Sequence, residues 1–242
     1  MIQKQVDAIL YEYSYPQIFV LVLVYFVILY LVLAPLFLSV CKFLARKGLL
    51  HRITEKEPSK SQIYYEIRHS LLSVFIFGFS GIPIIYLIRT DRITLLADSP
   101  LNIITGLLLL TLWNEIHFFI VHRIMHLPFF MKRVHFVHHR SIIPTVYSVY
   151  SFHWFEALLL STVPVTLAPF VPLAPLAIFL FPLVSVLLNY SGHCNFRFGH
   201  GKGADWKLFG TYHHQHHSKG RRNYGFASHL LDKLNEKISR KQ

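Results

Sequence analysis

Hydropathy along the chain alternates between long apolar runs and short, mostly basic connections. Gln17 to Val40 is an unbroken run rich in Leu, Val, Phe and Tyr, longer than the roughly 20 residues that a spanning helix needs. Pro16 is a plausible start for it and Pro35 should kink it near its end. Leu71 to Ile88 is a second run, punctuated by Gly78, Gly81 and Pro83, which spanning helices tolerate when neighbours satisfy the freed backbone groups. Leu101 to Val121 is a third. Its last turns carry Asn114, Glu115 and His117, polar groups that are costly in lipid and are expected to face the protein interior. Ala157 to Asn189 is a fourth block, divided by Pro164, Pro169, Pro172, Pro175 and Pro182, and reads as a helical hairpin that enters and returns on the same side. Between the first two runs, an amphipathic stretch after Pro58 (Ile63, Tyr64, Ile67) fits either a helix lying on the membrane surface or an ordinary connecting helix. The pattern predicts an all-α integral membrane bundle of about three spanning helices plus the Pro-rich hairpin, in one domain over residues 1–242.

Composition agrees: 53% of residues are hydrophobic and only 15% charged. The net charge of +12 could suggest nucleic acid, but the basic residues sit between apolar spans without a nucleic-acid motif. Their placement reads instead as topology. Of the 24 Lys and Arg, all but Lys4, Arg89 and Arg92 fall in 41–70, 122–156 and 191–242, so these three segments are expected on the cytosolic side, at the endoplasmic reticulum or a bacterial inner membrane. Cys41 and Cys194 form neither a disulfide framework nor a CxxC site and are expected to be free thiols. No basic n-region precedes a short apolar core, so no cleavable leader is expected.

The basic segments also hold the candidate chemistry. After the third run, Trp113 to Arg140 delivers His122 and His126, one turn apart on a helix face, and then an HxxHH set from His135, His138 and His139. A second HxxHH, from His213, His216 and His217, lies near the other end. Nitrogen ligands in that number suit borderline first-row metals and exceed what one tetrahedral zinc would use, which implies two ions. His214, adjacent to His213, faces about 100° away on a helix and is left out as a ligand. His117 reads as packed or interfacial; His51, His69, His200 and His229 lack partner spacing and read as solvated or interfacial. Gly199 to Gly203 lacks the Walker spacing and reads as a turn.

HRIMH, HFVHH and HHQHH, following membrane spans, resemble the fatty acid hydroxylase and sterol desaturase superfamily of integral membrane di-iron oxygenases. Glu115, the block Ser151 to Glu156, and the run Asn189 to Asn195 also fit, so the resemblance covers roughly residues 60–230. It implies a cytosolic, His-rich helical cap with a dinuclear site, whose metal ligands would be His122, His126, His135, His138, His139, His193, His213, His216 and His217. A tenth position falls at Asn189, with His153 as its competitor; His153 could equally orient a ligand. Glu115 and Glu156 are expected behind the ligands, Glu115 accepting a ring proton from a histidine or else pairing with Arg123.

The implied activity is O2-dependent oxidation of a lipid C–H bond by two iron ions, hydroxylation or its close variant desaturation, on a fatty-acyl, sterol or related chain received from the bilayer. Phe118, Phe119, Trp154 and Phe155 could line the chain's path, although such aromatics more often only pack. No haem or flavin motif is visible, so electrons are expected from a cytochrome b5 or ferredoxin-type donor. Lys132, Arg133, Arg140, Lys219, Arg221 and Arg222 would suit an acidic donor, or equally lipid headgroups. A membrane zinc hydrolase is disfavoured by the missing HExxH. A metal transporter would place its ligands at the bilayer midplane rather than after the helix exits.

Overall fold

Ser14 and Pro16 start the first long helix where the pattern places it. The computed structural model describes residues 2–198, 211–219, 223–228 and 230–239. A short helix, α1 (Ile2–Asp7), leads through a π turn (Ala8–Glu12) into α2 (Tyr15–Leu31) and α3 (Leu33–Arg46). The α2–α3 rod bends at Val32, one turn before Pro35. Pro35 offers no N–H to the Leu31 carbonyl and its ring crowds that oxygen, so the bend falls where the ring demands it. β1 (Leu50–Arg52) follows, then α4 (Lys60–Gly78) and α5 (Gly81–Arg89).

Here the expected boundary moves. Ile63, Tyr64 and Ile67 belong neither to a surface helix nor to a connector; they lie in the first turns of α4 itself. Ser59 caps that helix by accepting the N–H of Gln62 at 3.1 Å, and nothing breaks it before Gly78. α6 (Pro100–Met125) is the longest uninterrupted helix described, capped by Ser99 and stopped by Leu127-Pro128. Beyond it come α7 (Pro128–Phe130), a π turn (Met131–His135), α8 (Phe136–His139), α9 (Trp154–Leu160), α10 (Val163–Leu167), α11 (Pro175–His193), β2 (Phe196–Phe198), α12 (Thr211–Lys219) and α13 (Leu230–Ser239). The strands were not foreseen. They pair antiparallel, His51 opposite Arg197, so His51 lies in a ribbon rather than free on the surface.

Four rods, Tyr15–Arg46, Lys60–Arg89, Pro100–Met125 and Pro175–His193, are long and apolar enough to cross a membrane. α6 shows the inverted amphipathy that lipid requires. Leu101, Ile104, Leu108, Leu112, Ile116, Ile120 and Ile124 are exposed along its whole length, while Gly106, Leu110, Asn114, Phe118 and His122 are buried on the opposite side. Asn114 thus faces inward, as expected of a polar group there. Gly106 lets α6 approach α11 closely: a Cβ at that position would stand 2.7 Å from the Cβ of Ala177.

The Pro-rich block folds as a hairpin, with α9 and α10 as one arm and α11 as the other. Its turn reaches the loop between α5 and α6, where the Leu96 N–H donates to the Leu173 carbonyl at 3.0 Å. Both ends of the block, Glu156 and His193, therefore lie together at the opposite end of the bundle. Buried hydroxyls tie that end down: Tyr30 and Ser70 both donate to the Tyr147 carbonyl (2.9 and 2.8 Å), and Tyr190 donates to that of Leu29 (2.6 Å). Cys41 and Cys194 are buried free thiols, as expected, and the Cys194 thiol faces the Ser191 carbonyl at 3.5 Å.

Candidate metal centre

The C-terminal turn of α6 presents His122 and His126, and Leu127-Pro128 then reverses the chain so that the π turn and α8 carry His135, His138 and His139 back toward them. α11 ends on His193. α12 brings His213, His216 and His217. All nine of these imidazoles converge, in two adjacent groups: His122, His126, His135, His139 and His216 in one, and His138, His193, His213 and His217 in the other, with candidate ligand atoms within each group no more than 4.8 Å apart.

Neither HxxHH motif keeps all three of its imidazoles in one group. His135 and His139 serve the first group while His138 serves the second; His213 and His217 serve the second while His216 serves the first. In both motifs the i, i+4 pair shares a helical face and the middle histidine, rotated off it, reaches the other group. A π turn over Met131–His135 leads into the first motif, and nothing in the residue types announced it.

The chemistry of the nitrogens tests whether a cation fits. His122 Nδ1 faces the Tyr224 carbonyl at 2.9 Å, an acceptor only, so this nitrogen carries the proton. His193 Nδ1 faces Ser148 Oγ at 2.7 Å; that hydroxyl donates to the Thr145 carbonyl, so it must accept from the histidine. His135 Nδ1 lies 2.8 Å from Glu156 Oε1. In each ring the proton is held outward and the Nε2 lone pair is left inward, buried and without a hydrogen-bond partner. Outward tethering to a carbonyl, a hydroxyl and a carboxylate is how metal-binding histidines are fixed.

A second observation concerns distances. Nε2 atoms of His126, His139 and His216 form a triangle with sides of 3.0, 3.1 and 3.2 Å. An ion about 2.1 Å from each of three nitrogens at right angles gives edges of about 3.0 Å. The residues present therefore fit a metal ion. Burial, reinforced by the neighbouring His216, holds His126 and His139 down at about 3, and burial does the same more strongly to His135, His138, His213 and His217. All six rings are thus neutral at pH 7, the state that binds metal. Burial also pushes the Glu156 carboxyl up to about 8.

Several expected positions resolve differently. Glu115 neither accepts from a histidine nor pairs with Arg123. Its carboxylate takes the backbone N–H groups of Phe226, Ala227 and Ser228 at 3.0–3.2 Å, together with the Ser228 hydroxyl. Asp232 likewise accepts from the N–H groups of Tyr224 and Gly225 at 2.9 and 3.0 Å. Two carboxylates thereby hold the segment whose Tyr224 carbonyl fixes His122, and whose Tyr224 ring meets His126 edge-on at 4.9 Å. His153 lies outside both groups. It caps α9, its Nδ1 accepting the Phe155 N–H. Asn189 donates its Nδ2 to the Val149 carbonyl at 3.0 Å. His117 meets the Thr162 hydroxyl and His69 the Tyr65 carbonyl; His214 is buried but faces neither group.

Sequence reasoning missed Tyr224, Ser148 and Asp232. Tyr224 acts through its backbone carbonyl, and the other two through spacings that only the fold creates. Lys132, Arg133 and Arg140 are exposed at this end of the molecule. His200, Arg221, Arg222, His229, the Gly199–Gly203 turn and the Lys219 side chain lie outside the described residues.

An apolar cavity of about 90 Å³ adjoins the histidines, walled by Phe26, Phe77, Phe118, Phe152, Phe181 and Phe226. Phe118 stacks 4.9 Å from His122 and Phe152 4.8 Å from His138, so these two rings separate the cavity from the imidazoles. Phe26, Ser80, Pro164 and Pro182 also line a second cavity, of about 150 Å³, deeper among the spans. Of the aromatics singled out in the sequence, Phe118 lines this space; Phe119, Trp154 and Phe155 do not. No solved structure matches the chain. Residues 107–236, more than half of the sequence and including all nine gathered histidines, match the family model described as fatty acid hydroxylase, and the chain therefore belongs to the fatty acid hydroxylase family, within the fatty acid hydroxylase and sterol desaturase superfamily.

Proposed function

We propose that this protein is a membrane-bound, O2-dependent oxidase of lipid C–H bonds that uses two iron ions and whose main reaction is hydroxylation. The observation that carries the reading is the set of inward-facing, unpartnered imidazole nitrogens directly behind the wall of an apolar cavity. Nine imidazoles without a carboxylate among them suit a borderline first-row metal, and family membership favours iron among these. His122, His126, His135, His139 and His216 would hold one ion; His138, His193, His213 and His217 would hold the other, with Asn189, one turn before His193, as the candidate for a further position. Bound iron would supply the activation of O2.

The chain's own residues do the rest. Phenylalanines of the cavity bind a hydrocarbon and exclude water from the reacting bond. Tyr224, Ser148 and Glu156 keep three ring protons on the outer nitrogens, so that the ligands present lone pairs throughout. Lys132, Arg133 and Arg140 offer a basic face on which an acidic electron donor of the cytochrome b5 or ferredoxin type would dock. Because the basic segments and the histidines share one end of the bundle, that end is read as cytosolic and the chain as a single domain.

The test is turnover by the purified protein in lipid, with iron counted per chain and isotopically labelled O2 supplied. The reading expects two irons and a labelled oxygen atom in the lipid product. Loss of two hydrogens without oxygen gain would make the enzyme a desaturase, and metal binding with no oxidised lipid from any donor would overturn it.

A further inference from the structure

We infer that the substrate carries an oxygen atom on the part of its hydrocarbon framework that enters the cavity, and that Asn114 is the residue that recognises it. This rests on the reading of the site as a lipid oxidase and narrows its substrate class. Asn114 lines the cavity and is only 7% exposed, yet its Nδ2 has no hydrogen-bond partner. It lies on the buried face of α6, one turn before Phe118 and two turns before His122, about 12 Å from the latter along the helix axis. Two other polar groups of the wall are tied to the backbone, and the hydroxyls of Ser80, Tyr150 and Ser185 complete its polar lining. Ser161 donates to the Leu158 carbonyl of its own helix, and Asn189 to the Val149 carbonyl.

A plain acyl chain would leave the Asn114 amide unsatisfied among phenylalanines. A leucine of nearly the same shape would serve such a chain better, because a buried amide without a partner is unfavourable. A ligand oxygen, hydroxyl or carbonyl, removes that penalty and gains selectivity, since a site built to hydrogen-bond a group rejects the analogue lacking it. Two frameworks carry such an oxygen: an acyl chain already hydroxylated in mid-chain, and a sterol with its ring hydroxyl.

Direct binding to the full-length protein in detergent, read by displacement of a fluorescent fatty acid, tests this without turnover. One arm compares octadecanoic acid with its positional monohydroxy isomers. The other compares cholestane with cholesterol. In one arm the oxygenated member should bind about tenfold to a hundredfold more tightly, at one hydroxyl position for the chain. Asn114→Leu should abolish that preference while iron content stays at the wild-type value. The inference is overturned if wild type binds the plain and oxygenated members equally, which would leave the amide serving a trapped water, or if Asn114→Leu keeps the preference. Failure of any lipid to bind would remove the lipid-oxidase reading itself, and this inference with it.

Discussion

Replacing Glu115 by Gln tests the linkage from α6 to the metal-facing histidine. The carboxylate accepts four hydrogen bonds from Phe226, Ala227 and Ser228, spread over both of its oxygens. A glutamine offers one oxygen and sets an NH2 against the remaining N–H donor. Hydrogen bonds to a charged group contribute about 1.5–3 kcal/mol each, but these four share one acceptor and Ser228 is exposed. We therefore expect a combined loss of about 2–4 kcal/mol, which raises the open fraction of segment 223–228 by about 30-fold to about 10³-fold. His122 would then lose the Tyr224 carbonyl that fixes its ring proton, and losses of this kind weaken metal binding about 10- to 100-fold. Hydrogen exchange followed by mass spectrometry, with iron counted on the same sample, reads both effects. If exchange at 226–228 is unchanged, the carboxylate is not the anchor. If iron falls while exchange stays protected, Glu115 acts on a histidine directly and the linkage through Tyr224 is wrong.

His153→Ala should remove only the α9 cap, lowering stability by about 1 kcal/mol and leaving iron content intact; loss of an ion would restore His153 as a ligand. Gly106→Leu should force α6 away from Ala177 and lower the thermal inactivation temperature in detergent, at a cost of about 2 kcal/mol or more; an unchanged midpoint would mean that the helices are not in close contact. The pH dependence of the metal-free protein has a definite sign. His126 and His139 titrate at about 3 when folded, whereas the unfolded chain takes up these protons near pH 6.5. Unfolded chains therefore bind more protons between these values, so stability is full above about 6.5 and declines as pH falls toward 3. Denaturant midpoints measured from pH 7.5 to 5 should drop on acidification, and a flat profile would refute the burial of these rings.

Much of this architecture was legible because lipid imposes strong, simple constraints. Three of the apolar rods follow from run length, the fourth was read as one arm of the Pro-rich hairpin, and the inward aspect of Asn114 follows from the expense of a polar group in hydrocarbon. Eight of the nine histidines were identifiable because imidazole has few reasons to recur at helical spacing, whereas His193 followed only from the family resemblance. What could not be read is what depends on backbone atoms and on register. The Tyr224 carbonyl has no residue-type signature, and the acceptor role of Glu115 toward a loop more than a hundred residues away follows from tertiary placement. The amphipathic stretch after Pro58 (Ile63, Tyr64, Ile67) fitted a surface or connecting helix because its apolar positions are spaced among polar ones; Ser59 instead starts a helix that runs straight into the span.

The interleaved HxxHH motifs bear on how this centre tolerates change. Since each motif feeds both histidine groups, neither group can be lost or retuned alone by altering one motif. A single inserted residue turns the downstream imidazoles by about 100° and would misdirect members of both groups together. The short spacing is therefore a joint constraint: a mutational path that reshapes one half of the pair must pass through forms in which the other half is also damaged.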